Sequence, residues 1–296
     1  MTRPTPVGAH GHVIRPRPGA VWKQTSFRKA VTERRKPIDW ASVAEDADAY
    51  LPPSPMLERE VRTGVVLLHG RDGGAWSNLA GRIRFDEASV ETGVAATRHW
   101  FTDREVGEFR WLIGPSATPR GVAHLLMERG ASPDGDEPEL TAMVLDHEPP
   151  AVPGVVVRPV TTFADYLRME KIRETVFGSR DIDDEERRAL WSQFERGGAL
   201  AYLALDGGTP VSFGIMNTTE PGPMLLAGGV THPEHRGRGA YRALVRARWD
   251  AAQRVGAPAL VTQAQAASRP ILDRLGFRAT GVIKVLVDRP SGASPF

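Results

Sequence analysis

Gly229-Val230-Thr231-His232-Pro233-Glu234-His235-Arg236-Gly237-Arg238-Gly239-Ala240-Tyr241 decides how the rest of the chain reads. An apolar run arrives from 224 and stops at Pro233, which has no N–H to donate to a strand ladder. Gly237 and Gly239 then let the backbone turn tightly with no Cβ in the way. A long amphipathic pattern starts at once, over 238–255, and Gly256 closes it. Strand, basic glycine loop and helix in that order aim unpaired backbone N–H groups and the positive end of a helix dipole at one point. Such a point is an anion site, and a diphosphate fits it, with Arg236 and Arg238 supplying charge beside it. A dinucleotide-binding G-x-G-x-x-G loop is not present, and no Gly-Lys-Ser/Thr follows to make a P-loop.

Outward from this loop, the second half reads clearly. Strands are predicted over 154–160, 200–205, 211–217, 224–231 and 258–263, with a last strand or strand pair over 277–288. Helices are predicted over 164–176, 183–194 and 268–275. Asp183, Asp184, Glu185 and Glu186 fill the first turn of the second of these, where the helix dipole favours anions. The order β-α-α-β-β-β-α-β-α-β makes a mixed α/β layered domain.

This half resembles the GNAT superfamily of acyl-CoA N-acyltransferases over residues 154–290. Arg236-Gly237-Arg238-Gly239-Ala240 is similar to the superfamily's R/Q-x-x-G-x-G/A loop, except that Tyr241 takes the last small position. Leu272-Asp273-Arg274-Leu275-Gly276-Phe277 is similar to its closing Y-x-x-L-G-F helix end, with Leu272 where many members hold a tyrosine general acid. The resemblance implies acetyl-CoA as acyl donor, lying along the strand 227–231. Val230 and Thr231 would bond the pantetheine arm with their backbone. Arg236, Gly237, Arg238, Gly239, Ala240 and Tyr241 would hold the diphosphate, and Ser268 would face the thioester end. Direct attack of an uncharged amine needs a group to take a proton. Glu220, His232 and Tyr241 are the candidates for proton transfer; each has an ordinary alternative, as a turn carboxylate, a solvent-facing histidine and a packing phenol.

The first half reads as a degraded copy of this pattern. Strands are predicted over 64–68, 79–85, 109–114 and 140–146, and helices over 88–101 and 119–129. Phe109 to Gly114 parallels Pro258 to Gln263, 125–130 parallels 271–276, and 141–146 parallels 283–288. Arg82-Ile83-Arg84-Phe85-Asp86-Glu87 precedes the helix of this half and holds no glycine, so a phosphate nest is not expected there. The domain plan is thus a basic tail over 1–37, a degenerate GNAT-like domain over 38–150 that helps wall the acceptor pocket, and an acetyl-CoA-binding GNAT domain over 154–296. Pro149, Pro150 and Pro153 mark the linker. Trp40, Trp76, Trp100 and Trp111 read as core of the first half.

Composition sets the outer bounds. A length of 296 residues accommodates two domains. Apolar residues at 41% and charged at 25% describe a soluble globular chain, with no apolar run long enough for a membrane helix. The chain has no cysteine, which removes disulfides, thiolate metal sites and a cysteine nucleophile together. No histidines stand at metal-ligand spacing, so no metal is expected. The basic residues comprise 5 Lys and 33 Arg, as in a GC-rich bacterial genome, and arginine abundance by itself is discounted. The basic start lacks the apolar core of a secretory signal, and a cytoplasmic place is expected. The expected activity is acetyl transfer to the amine of a small molecule. A protein N-terminus or lysine as acceptor, and a non-catalytic acyl-CoA sensor, stay open as alternatives. Membrane and nucleic acid are not expected as partners, and a homodimer stays open.

Overall fold

The computed structural model describes residues 39–71, 76–178, 182–220 and 222–290, so the tail expected over 1–37 lies outside the described residues. The chain enters through a helix that sequence periodicity does not mark. Asp39 caps α1 (Trp40–Glu45), its carboxylate accepting from Ala41 N at 3.0 Å. A 3₁₀ turn, Ala47–Tyr50, follows. The hairpin β1 (Leu57–Arg62) and β2 (Val65–Gly70) turns at Gly64, whose φ of 82° suits glycine. The rest of this half is β3 (Asn78–Gly81), α2 (Val90–Thr102), β4 (Phe109–Ile113), α3 (Val122–Glu128), the short β5 (Ser132–Pro133) and β6 (Glu139–Leu145). The strand predicted over 79–85 ends at Gly81, because the chain leaves the sheet at Arg82 with φ 50°.

The second half follows its predicted order: β7 (Val156–Pro159), α4 (Phe163–Phe177), α5 (Asp184–Gly197), β8 (Leu200–Asp206), β9 (Thr209–Thr218), β10 (Met224–Thr231), α6 (Ala240–Arg254), β11 (Leu260–Ala264), α7 (Arg269–Arg274) and β12 (Arg278–Asp288). Asp183 caps α5, accepting from Glu186 N at 2.8 Å, and the acids Asp184, Glu185 and Glu186 follow it. α5 is held to α4 by rings: Trp191 lies 5.5 Å and Phe194 5.9 Å from Tyr166.

Among the described residues all strands join one mixed sheet, in the order β1-β2-β3-β4-β12-β6-β11-β10-β9-β8-β7, with β5 beside β12. The mixed α/β architecture expected from the element order is therefore the one found. The order also shows how the two halves combine, which no single-strand reading reveals. Each half ends in a strand that enters the other half's sheet. β6 of the first half pairs with β11 of the second, and β12 of the second pairs with β4 of the first. The exchanged strands lie antiparallel to each other at the centre.

Buried chemistry fixes the exchange. Asp288, at the end of β12, is 2% exposed and accepts from Trp111 Nε1 at 2.9 Å and Arg98 Nε at 2.9 Å. Around it Phe101 stacks on Phe109 at 4.0 Å, and Trp100 and Trp111 are buried. Trp76, read as core, is exposed instead; it sits beside Arg110, whose guanidinium lies 5.0 Å from the ring centre. In the second half, α6 and α7 pack on one face of the sheet through Val245, Trp249, Leu272 and Phe277. Met143 and Leu145 of β6 lie in the same apolar cluster.

Near α1 burial works against charge. Desolvation pushes the Asp48 carboxyl up to about 6. A carboxyl whose folded pKa is raised binds more protons folded than unfolded between pH 4 and 6, so stability falls as pH rises through that window and stays low above it. Replacing Asp48→Asn should stabilise the protein by about 2 kcal/mol at pH 8 and change little at pH 4. Urea midpoints at the two pH values measure this, and equal shifts at both would show that the buried charge is not the cause.

Candidate functional site

β10 and β11 run parallel and pair only at Met224 with Leu260 and Leu225 with Val261. Beyond this the strands part. β10 bulges between Ala227 and Gly229, and Gly228 takes φ 53°. The parted strands leave a cleft of about 620 Å³, lined by Gly229, Val230 and Thr231 on β10, the loop and head of α6, Gln265, Ala267 and Ser268 after β11, and Ile271 and Arg274 on α7. The end of α4, Val176 and Phe177, completes the rim. Gln265, Ala267, Arg242, Ile271, Arg274, Val176 and Phe177 were not singled out from sequence, since nothing in their spacing separates them from ordinary helix and loop residues.

The loop itself is built as its glycines require. A 3₁₀ turn, Pro233–His235, ends β10, and Gly237 and Gly239 take φ 77° and 90°. α6 then begins at Ala240 with Gly239 as its cap, so its first N–H groups have no partner inside the helix and open on the cleft. Arg236 lines the cleft and donates Nε to the Thr231 carbonyl at 3.3 Å. Arg238 does not line it: its guanidinium reaches Asp206 Oδ2 at 3.2 Å, which also receives His235 Nδ1 at 3.1 Å. Arg242 and Arg274, which line the cleft, take the place sequence gave to Arg238. Among the described residues that line it there is no Asp or Glu, while Arg236, Arg242 and Arg274 bring positive charge.

Ser212 supports the strand above the cleft. Its hydroxyl donates to the Val230 carbonyl at 2.7 Å and lies 2.8 Å from Thr231 Oγ1. Ser268 starts α7 on the opposite wall, its hydroxyl donating to the Gln265 carbonyl at 3.1 Å. Glu137, from the first half, accepts from Ala266 N at 2.8 Å and so fixes the loop after β11.

The three candidates for proton transfer fall in three different places. Glu220 stands before β10, at the end of the strand away from the cleft; its N–H bonds the Tyr50 carbonyl at 3.2 Å and its carboxylate lies 3.7 Å from Arg59. The seven-residue rise from 224 to 231 sets it roughly 20 Å from the cleft. His232 follows Thr231, its N–H bonded to the Val211 carbonyl, and its Nδ1 is buried with no hydrogen-bond partner among the described residues. Tyr241 lines the cleft by its ring, which lies under Gly229: a Cβ on that glycine would stand 2.4 Å from Tyr241 Cε2. Burial pushes the Tyr241 phenol up, with Arg248 beside it pulling the other way. Arg248 is 1% exposed, and its Nε and Nη1 donate to the Leu244 and Ile215 carbonyls at 3.1 and 2.9 Å. Burial lowers its own pKa. Leu272 is 1% exposed within the α6–α7 core.

The first half has no counterpart to this opening. Where β3 and β4 would part, the backbone closes: Thr118 N donates to the Ile83 carbonyl at 3.1 Å and Phe85 N to the Thr118 carbonyl at 3.2 Å. Glu45 fills the space over Gly114, accepting from Ser116 N at 2.8 Å and Ser116 Oγ at 2.9 Å. Asp46 holds Arg84 at 2.8 Å. Among the described residues no group of His, Asp and Glu converges as a metal site, and no helix is long and apolar enough to cross a membrane.

Residues 166–277 match the acetyltransferase (GNAT) family model. That stretch runs from α4 through α7, within the second half of the chain. The family in general transfers acetyl groups and takes acetyl-CoA as donor. Solved structures extend the likeness across both halves. A GCN5-related N-acetyltransferase from Kribbella flavida is similar at 20% identity and a TM-score of 0.63, covering 85% of this chain and 96% of that one. A tandem GNAT protein from the clavulanic acid biosynthesis pathway is similar at 19% identity and a TM-score of 0.57, covering 90% and 92%. A GCN5-related N-acetyltransferase from Sphaerobacter thermophilus reaches 0.55 at 19% identity, covering 80% and 84%. At such identities the likeness is one of fold. None of the curated proteins matches the sequence.

Proposed function

We propose that the chain is an acetyl-CoA-dependent N-acetyltransferase with one donor site, in the cleft between β10 and β11, and that its acceptor is the amine of a small molecule. The observation that carries this reading is the contrast between the halves. The second half keeps an open cleft with a glycine nest and cationic walls, and the first half closes the same place by backbone bonds and Glu45. The boundaries at 38–150 and 154–296 describe this division of labour, one half closed and one half binding, and we place the activity in the cytoplasm.

In this reading an uncharged amine attacks the thioester carbonyl. The N–C bond forms, the C–S bond breaks, and the leaving thiolate takes up a proton. Val230 N–H faces β9, in step with His232 N–H two residues on, so the candidates to stabilise the developing oxyanion are the N–H groups of Gly229 and Thr231 on the cleft edge of β10. With no carboxylate among the described residues that line the cleft, the amine proton passes to water or, by way of water, to His232, which follows the lining residue Thr231. A small acceptor is favoured because α1 and the turn after it cross the face of β11. Gln263 Nε2 donates to the Glu45 carbonyl at 2.9 Å there, which narrows the approach. Leu272 in the apolar core favours one second reading, an acyl-CoA sensor without turnover.

Acetyl-CoA should raise the melting temperature by binding the native state, and thiol should be released when a responsive amine is added. A temperature shift without thiol release across a broad amine set would favour the sensor, and no shift at saturating acetyl-CoA would reject both. Gly239→Glu should remove the shift, since it places a carboxylate at the nest and a side chain at φ 90°.

A further inference from the structure

The cleft carries more positive charge than a diphosphate requires. Arg236 and Arg242 belong to the nest: the first follows the turn that ends β10, and the second stands in the opening turn of α6, its Nη2 3.4 Å from where a Cβ on Gly239 would lie. A diphosphate diester brings one charge on each phosphate, which these two guanidiniums match. Arg274 is a third, and it stands on the other wall, in the last turn of α7.

Local structure does not account for where Arg274 points. The helix dipole favours a cation at the end of α7 but is indifferent to which side it faces. The adjacent carboxylate, Asp273, lies 3.9 Å from Arg269. Among the described residues neither Arg242 nor Arg274 pairs with a carboxylate, whereas Arg238, outside the lining, is paired with Asp206. Three guanidiniums that share a cleft with no acidic residue among its described lining repel one another unless a ligand supplies the opposite charge. A phosphomonoester, with close to two charges at neutral pH, is the group that fits the third.

Resting on the acyl-CoA reading above, we propose that Arg274 reads the phosphomonoester on the ribose of the carrier's nucleotide, so that this protein selects coenzyme A over dephospho-coenzyme A. The pair is exposed, so the preference is modest and weakens in salt.

Calorimetric titration of the full chain with the two ligands tests the assignment. The wild-type protein should bind coenzyme A about tenfold more tightly than the dephospho form at low salt. Arg274→Gln should bring the ratio close to one by weakening coenzyme A alone, with the dephospho form bound as tightly as by the wild type, which also shows that the variant is folded. Equal binding of both ligands by the wild type would overturn the proposal and leave the acyl-CoA reading intact. So would a variant that keeps the preference, or one that loses both ligands alike. A wild-type protein that binds neither ligand would reject the acyl-CoA reading and the assignment with it.

Discussion

Residues 151–296 produced alone should fail to reach a cooperatively folded monomer. The sheet order makes the reason plain. Both neighbours of β12 on the main sheet, β4 and β6, come from the first half. Without β6, β11 loses a ladder of five paired residues and keeps β10, to which it is joined at two. The apolar cluster under α6 and α7 loses Met143 and Leu145, both fully buried. Losing large core side chains costs about 2–5 kcal/mol each, and two of them approach the whole stability of a typical domain, about 5–15 kcal/mol. Asp288 would also lose Trp111 and Arg98, leaving a carboxylate without its buried donors. Thermal unfolding followed by circular dichroism should show no cooperative transition for the fragment, and co-expression with residues 39–150 should restore one. A cooperative melt from the isolated fragment as a monomer would mean that the exchange is incidental to its stability.

That dependence marks the limit of what the sequence discloses. The second half was legible because its signals are local: β-branched runs, an acidic helix start at 183–186, and glycines at Gly237 and Gly239 that only a turn with positive φ requires. The resemblance of 109–114 to 258–263 and of 141–146 to 283–288 was legible too, because each pair occupies corresponding places in the sheet. Strand exchange was not, since a strand buried on both faces reads the same whichever half supplies its neighbours. α1 was missed because six residues make too short a window for a helical period. At the site, backbone geometry was readable and side-chain direction was not. Arg238 turns to Asp206, while Arg242 and Arg274 turn inward, and an arginine-rich composition gives no means of telling them apart. Glu220 looked near the cleft because it precedes the central strand, yet the length of that strand carries it to the far end.

Tyr241 is the clearest departure from the family loop, and Gly229 is its structural answer. The ring occupies the place where a side chain at 229 would begin, and Gly229 does not take a left-handed conformation that would itself demand glycine. The glycine is there for space. Gly229→Ala should therefore force the ring aside and cost about 2 kcal/mol, as overpacking of a close-packed contact does. Tyr241→Ala should cost at least as much, by leaving a cavity beneath β10 and removing the phenol beside Arg248. The two changes together should cost less than their sum by roughly 1 kcal/mol or more, because the methyl added at 229 no longer meets a ring. Urea unfolding of the wild type, both single variants and the double variant measures the coupling. Costs that add within about 0.5 kcal/mol would show that the two residues do not constrain each other. The same set separates packing from chemistry. Tyr241→Phe keeps the ring under Gly229 and removes only the hydroxyl, so acetyl transfer that survives in this variant assigns Tyr241 to shaping the cleft, and transfer that falls a hundredfold assigns it to the proton step.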